Sequence, residues 1–330
     1  MPLFQIGYRR YEGERTSHAM RWRPITRTGL AIAWRSKLLR RLVFVSFLPF
    51  LYFGWVFFII GRITDPGTDP TTPFYEIARE ILGHRLVNQL HEDPAAIRSA
   101  VWTMVFGYFG TYFQLWMAGL VAAIVGPPLV ANDLRTRAFL IYFARPVSRL
   151  DYVIGKAGVL VVLLGAVTLL PSLVLYTLSI LFSPSLDTVV QTLPVAGTIV
   201  LASLGTIIPV SLIILVLSSL TKQPRFATVT WFVLCLFGPM SHIILQQTRG
   251  LGGSAWTFLL SLPHTVRALQ LGLYDVEGRA QQLEVRGDIS AMVEGLTSQD
   301  SPIMAGVWLS VVSVACVLIL LRRVDSPTRI

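Results

Sequence analysis

The chain has 330 residues, 53% of them hydrophobic and 14% charged, and its mean hydropathy is +0.62. A soluble domain carries about 25% charged residues, so this composition excludes an ordinary soluble protein and points to an integral membrane protein. The formal net charge of +10 therefore raises the question of which side of a bilayer the cations face, and argues against nucleic acid as a partner.

The basic segment 1–41 comes first. Within it, "RWRPITRTGLAIAWRSKLLRR" places Leu30, Trp34 and Leu38 at i, i+4 and i+8, among Arg27, Arg35, Lys37, Arg40 and Arg41. The pattern predicts a cationic amphipathic helix at the membrane interface, and it serves equally as a plain positive anchor. Six apolar stretches follow, each long enough for the roughly 20 residues that a bilayer crossing needs. They cover 42–61, 101–130, 157–182, 196–220, 227–247 and 303–321, and none holds Asp, Glu, Lys or Arg. The first is too long for a signal-peptide core and lacks a small-residue cleavage site. The second is long enough to tilt or to end in an interfacial turn at Gly126-Pro127-Pro128. Pro171 and Pro209 should kink the third and fourth.

Twenty of the 28 Lys and Arg fall on one side of this layout, in 1–41, 131–156, 221–226 and 322–330. Thirteen of the 18 acidic residues fall on the other. The positive-inside rule then places both termini in the cytoplasm. The 42–330 domain keeps two large outer loops, 62–100 and 248–302. In the first, Thr72 is a candidate N-cap with Pro73 at the first helical position. Phe74, Ile77, Ile81, Leu82, Leu86 and Leu90 form the apolar stripe of an amphipathic helix, and Asp93-Pro94 repeats the start signal. Glu76, Glu80 and His84 share a face, read as a solvated surface in preference to a metal site. In the second loop, Gly252, Gly253 and Pro263 interrupt an apolar run, which predicts an interfacial or re-entrant helix pair before the last span.

The chemistry of catalysis is missing. No G-x-x-x-x-G-K-[ST], G-x-S-x-G, H-E-x-x-H or C-x-x-C occurs, so the chain has no P-loop and no cofactor or metal motif. Cys235 and Cys316 read as small apolar residues, and His242 as a structural histidine. Neutral groups such as Gln114, Thr206 and Ser211 are the polar content of the spans. Ion-coupled carriers keep charged groups at that depth, so any transport energy is expected from outside the chain.

The remaining cytoplasmic loop, 131–156, reads "ANDLRTRAFLIYFARPVSRLDYVIGK". Asn132 or Asp133 is expected to cap a short helix running to Ala144, ended by Pro146, which disfavours helix at Arg145. Ser148 caps a further turn. Phe139, Tyr142 and Phe143 rimmed by Arg135, Arg137, Arg145 and Arg149 have the composition of a protein–protein contact. They fit equally an interfacial helix held by snorkelling arginines.

The run Asp133, Arg145-Pro146-Val147-Ser148-Arg149, Tyr152 and Gly155-Lys156 resembles the loop after the second span in ABC transporter permeases of the type-2 exporter class. The layout of basic arm, six spans and broken segment before the last span is similar too. The resemblance implies a coupling helix docking on a separate ATP-binding subunit, through Asp133, Arg135, Arg137, Phe139, Tyr142, Phe143, Arg145, Pro146, Arg149, Tyr152 and Lys156. It also implies two ATPase partners, a second permease copy or related chain, surrounding lipid, and residence in the cytoplasmic (inner) membrane. The expectation is an all-α integral membrane protein with six transmembrane helices, both termini cytoplasmic, and no ATP hydrolysis of its own. Two other classes fit less well: a scaffold or mechanotransmission protein recruiting a cytoplasmic partner, and an ion-coupled secondary carrier.

Overall fold

The computed structural model describes residues 20–65, 67–69, 71–138, 142, 147–184, 187–248, 256–282 and 300–325. No strand occurs among them, and six helical stretches are long and apolar enough to cross a membrane. Each expected span falls on one of these; the third and fourth helices start at Arg149 and Asp187, eight and nine residues before the expected spans. The helices alternate in direction, so the bundle has two ends. The arm end carries the segment before the first span, the connection near residue 142 and that near residue 222. The far end carries the two large loops.

Helix α1 (Trp22–Trp34) and helix α2 (Lys37–Val45) meet at Ser36, whose hydroxyl accepts from Leu39 N at 3.3 Å. One amphipathic helix was expected here, but this N-cap divides it, so Leu38 does not share a helix with Leu30 and Trp34. α2 leads into α3 (Leu48–Ile63), the first crossing. The far-end loop folds as α4 (Pro73–Leu82) and α5 (His84–Glu92). A single helix was expected, but Gly83 sits at φ 87°, a left-handed backbone that breaks it. Pro73 does start α4, and Tyr75 and Ala78, with Leu86, Val87 and Leu90 of α5, are buried against the bundle. The Tyr75 hydroxyl contacts both Ile63 O (3.1 Å) and His91 Nδ1 (2.8 Å). Among the described residues no three metal-ligating side chains converge, and Glu76 instead pairs with Arg79 at 2.8 Å.

The second crossing is α6 (Pro94–Tyr108), a π-helical turn (Phe109–Gln114) and α7 (Leu115–Thr136). The third is α8 (Arg149–Val167) and α9 (Leu169–Leu181), broken at Thr168 ahead of Pro171. Proline has no N–H for the carbonyl four residues back, so the break is where its ring demands it. The fourth, α10 (Asp187–Ser219), runs unbroken through Pro194 and Pro209, and it absorbs most of the outer loop expected at 183–195. At its start, buried Arg98 of α6 donates to Thr188 Oγ1 and, at 3.3 Å, to Gln191 Oε1. α11 (Pro224–Thr248) and, near the C-terminus, α14 (Pro302–Asp325) complete the crossings.

Between α11 and α14 lie a 3-10 turn (Thr257–Leu260), α12 (Leu262–Leu273) and α13 (Val276–Gln282). Ser261 packs on Gly238 in mid-α11, and Leu260 and Leu262 line a cavity with Val312 and Cys316 of α14. α12 then returns, bringing Gly272 against Pro302 at the far end. Twelve helical residues rise about 18 Å, roughly half the hydrocarbon thickness. The 3-10 turn and α12 form a short hairpin packed on α11 and α14. It carries Arg267, whose guanidinium lies 5.5 Å from the Tyr112 ring centroid in the π-turn.

α10 is the hub, packed against α6, α7, α8, α9, α11, α12 and α14. α11 and α14 lie at the periphery, with apolar side chains such as Phe226, Val229, Phe237, Val307 and Val311 exposed. Lipid tails are as apolar as these side chains, so such faces need no protein cover. The buried apolar residues form two main cores. One, at the far end, joins α3 to α6, α9 and the first part of α10. The other joins α2, α7, α8 and the second part of α10.

Candidate functional site

The arm end gathers the residues singled out in the 131–156 loop. α7 does not end or turn at Gly126-Pro127-Pro128, and neither Asn132 nor Asp133 caps a new helix: α7 continues to Thr136. The physical reason comes from α10. The Ser218 hydroxyl donates to Pro127 O (2.6 Å) and accepts from Val130 N (3.1 Å) and Ala131 N (3.0 Å). These bonds pin the stretch that carries the two adjacent prolines against α10. Gly126 allows the approach, since a Cβ there would lie 2.3 Å from Ile214 Cγ1. α7 stops at Arg137, in the left-handed region at φ 54°.

Asp133 is thus an interior helix position facing α8. Its Oδ2 accepts from Lys156 Nζ at 2.7 Å and from the Tyr152 hydroxyl at 2.8 Å. Tyr152 and Lys156 are four apart, hence on one face of α8, and both are buried. Tyr142 folds back onto them: its ring is 5.4 Å from that of Tyr152, edge-on, and 5.9 Å from Lys156 Nζ. Burial, and then the charge of Asp133, pushes the Tyr142 phenol above its usual value, so it is neutral at physiological pH. α8 itself starts with a capping box, Ser148 Oγ accepting from Asp151 N while Asp151 accepts from Ser148 N.

The adjacent face of α8 holds the arm. Thr26 Oγ1 of α1 donates to Gly155 O at 2.9 Å. Added Cβ atoms would lie 2.8 Å from Ile25 Cβ at Gly155, 2.8 Å from Thr26 Oγ1 at Gly158, and 2.5 Å from Val159 Cγ2 at Gly29. Three glycines let α1 and α8 touch backbone to backbone. A cavity of about 330 Å³ lies beside this contact, lined by Ile32, Ser36, Leu129, Asn132, Asp133 and Lys156 among others.

Of the expected contact residues, Asp133, Tyr142, Tyr152 and Lys156 are brought together. Tyr152 and Lys156 face inward in the isolated chain because a carboxylate in this setting requires its cation and donor. They hold the site together and do not form its surface. Arg135, Arg137 and Arg149 are exposed around them. Phe139, Phe143, Arg145 and Pro146 lie outside the described residues. Thr26, Gly29, Gly158 and Ser218 were not anticipated. The spacing of Gly155 and Gly158 was a signal for close helix approach, whereas nothing near Ser218 in the sequence points to Pro127.

No family model matches the chain, and no curated protein matches it.

Proposed function

We propose that the chain is the membrane-spanning permease subunit of an ATP-driven ABC transporter, working with a second permease copy or a related chain and two separate ATPase subunits. The arm end faces the cytoplasm in this reading, as the excess of Lys and Arg there requires. The observation that carries it is the joining of α1, α7 and α8 into one block by the Asp133–Lys156–Tyr152 knot and the Thr26–Gly155 bond. A push on the connection between α7 and α8 moves that block as a unit, and α10, packed on both helices, passes it on. A scaffold needs only an adhesive surface, and no such linkage to the centre of the bundle. The missing P-loop leaves the energy to a partner, for which the exposed Arg135, Arg137 and Arg149 supply charge.

The test is to replace Arg135, Arg137 and Arg149 together with Glu and purify the full chain with P-loop ATPases encoded beside it. Loss of co-purified ATPase, with unchanged yield and gel-filtration profile, is expected. Undiminished recovery and undiminished nucleotide-dependent flux in proteoliposomes would sink the proposal. Flux driven by an ion gradient with no ATPase present would establish a secondary carrier instead.

A further inference from the structure

Three irregularities occur at one level of the bundle, in its three most central crossings. The second crossing widens into the π-turn Phe109–Gln114. The third breaks at Thr168, at φ −117° and ψ −67°, where Pro171 withholds a donor from the Val167 carbonyl. The fourth contains Pro209, which does the same to Gly205. These sites are tied to one another and to the hairpin by polar side chains. Gln114 Nε2 donates to Thr168 O and Ser172 Oγ, both at 2.6 Å. Gln270 Nε2 of α12 donates to Thr206 Oγ1 at 2.8 Å.

The same level divides the two apolar cores. Buried core residues of the far end reach Phe109, Leu175 and Ala202; those of the arm end begin at Ala118, Val167 and Ile207. Among the described residues, Leu169 alone packs against both. The seam between them is made of Thr111, Gln114, Thr168, Ser172, Thr206 and Gln270, all buried. Thr111 Oγ1 and Gln270 Oε1 have no hydrogen-bond partner there. Interdigitated apolar cores resist deformation, so motion concentrates where packing is replaced by a few exchangeable hydrogen bonds. Helices whose ladder is already interrupted bend at the interruption.

We propose that this polar seam is a built-in plane of articulation, on which the arm-end half of the bundle moves as a body against the far-end half. The inference does not depend on the transport reading, since it concerns the isolated chain. It is tested by pulsed distance measurement on the full chain in lipid nanodiscs, with Cys235 and Cys316 first replaced by Ala. Spin labels at the lipid-facing positions Trp55 and Val162 span the seam; labels at Trp55 and Val174 stay within the far half. The spanning pair should give a distribution about twice as wide as the control pair. Pro171→Ala, which restores a backbone donor, should narrow it. Hydrogen exchange of the unlabelled protein supplies a readout that needs no substitution. Amides of 109–115 and 167–170 should exchange about ten-fold faster than those of 98–105 and 158–165. Equal widths for the two label pairs, or uniform exchange along these helices, would overturn the proposal. So would a folded Pro171→Ala protein with an unchanged distribution. None of these readouts involves an ATPase, so they can fail while the functional proposal stands.

Discussion

Lys156→Met is the most direct probe of the arm-end knot. The substitution keeps the length of the stem and deletes the ammonium. Asp133, whose side chain is only 14% exposed, then keeps the Tyr152 hydroxyl and loses its cation 2.7 Å away. Removing one partner of a buried ion pair costs about 3–5 kcal/mol, because the other charge is left uncompensated. The 330 Å³ cavity that Asp133 lines offers water a route to the carboxylate. That lowers the expected cost to about 2–3 kcal/mol. Asp133→Asn/Lys156→Met removes both charges and leaves an amide that still accepts from Tyr152, so about 1 kcal/mol or less should separate it from the parent. The assay is thermal denaturation followed by fluorescence-detected gel filtration, with all four members of the cycle in the same detergent. Lys156→Met should melt lowest and the double variant should recover most of the loss. A double variant as damaged as the two single changes summed would refute the reasoning, since independent residues add and coupled ones do not.

Other expectations follow from the same geometry. Gly155→Leu drives a side chain into Ile25 and the Trp22 carbonyl, so α1 should detach, seen as faster tryptic cleavage between Arg21 and Arg41. Its cost should be on the order of 1–3 kcal/mol, as for overpacked cores. Ser218→Ala removes the hydroxyl that bridges α10 to Pro127 O, Val130 N and Ala131 N, an expected loss of about 1 kcal/mol. Hydrogen exchange should rise at 127–132 more than elsewhere in α7; unchanged exchange there would refute the bridge. Arg98→Met removes the donor to Thr188 and Gln191. It should loosen the start of α10, read as increased labelling of a cysteine placed at exposed Val190, while leaving the arm end untouched.

The crossings were legible because a bilayer demands length and apolarity, and both are local properties of the chain. The bonding at the double proline of α7 was not, because the Ser218 hydroxyl that pins this stretch lies about 90 residues away and reaches it only when α10 packs alongside. Asp133 was legible as a candidate cap and Lys156 as part of the loop motif, yet their inward orientation depends on how α7 and α8 rotate toward each other. The i, i+4 pairing of Tyr152 with Lys156 announced a shared face without saying what it would meet. The stripe from Phe74 to Leu90 looked continuous because a hydrophobic pattern can survive a break; the φ of Gly83 is what moves its second half onto a different surface. In the segment before the last crossing, Gly252 and Gly253 lie outside the described residues, and Pro263 stands in the first turn of α12. The hairpin's position against Gly238 and Val312 comes from contacts that no local pattern encodes.

The hairpin also governs the parity of the chain. Its one helix, α12, has 12 residues, so it adds apolar sequence without adding a helix long enough to cross. A count of hydrophobic segments that scores it as a seventh span would put Arg322 and Arg323 on the side opposite α1. Arg323 instead lines a small pocket with Leu134 and Lys156, at the arm end. Single cysteines at exposed Glu76 and Glu277 should react with a membrane-impermeant reagent from one face of the bilayer, and cysteines at Arg137 and Lys222 only from the other.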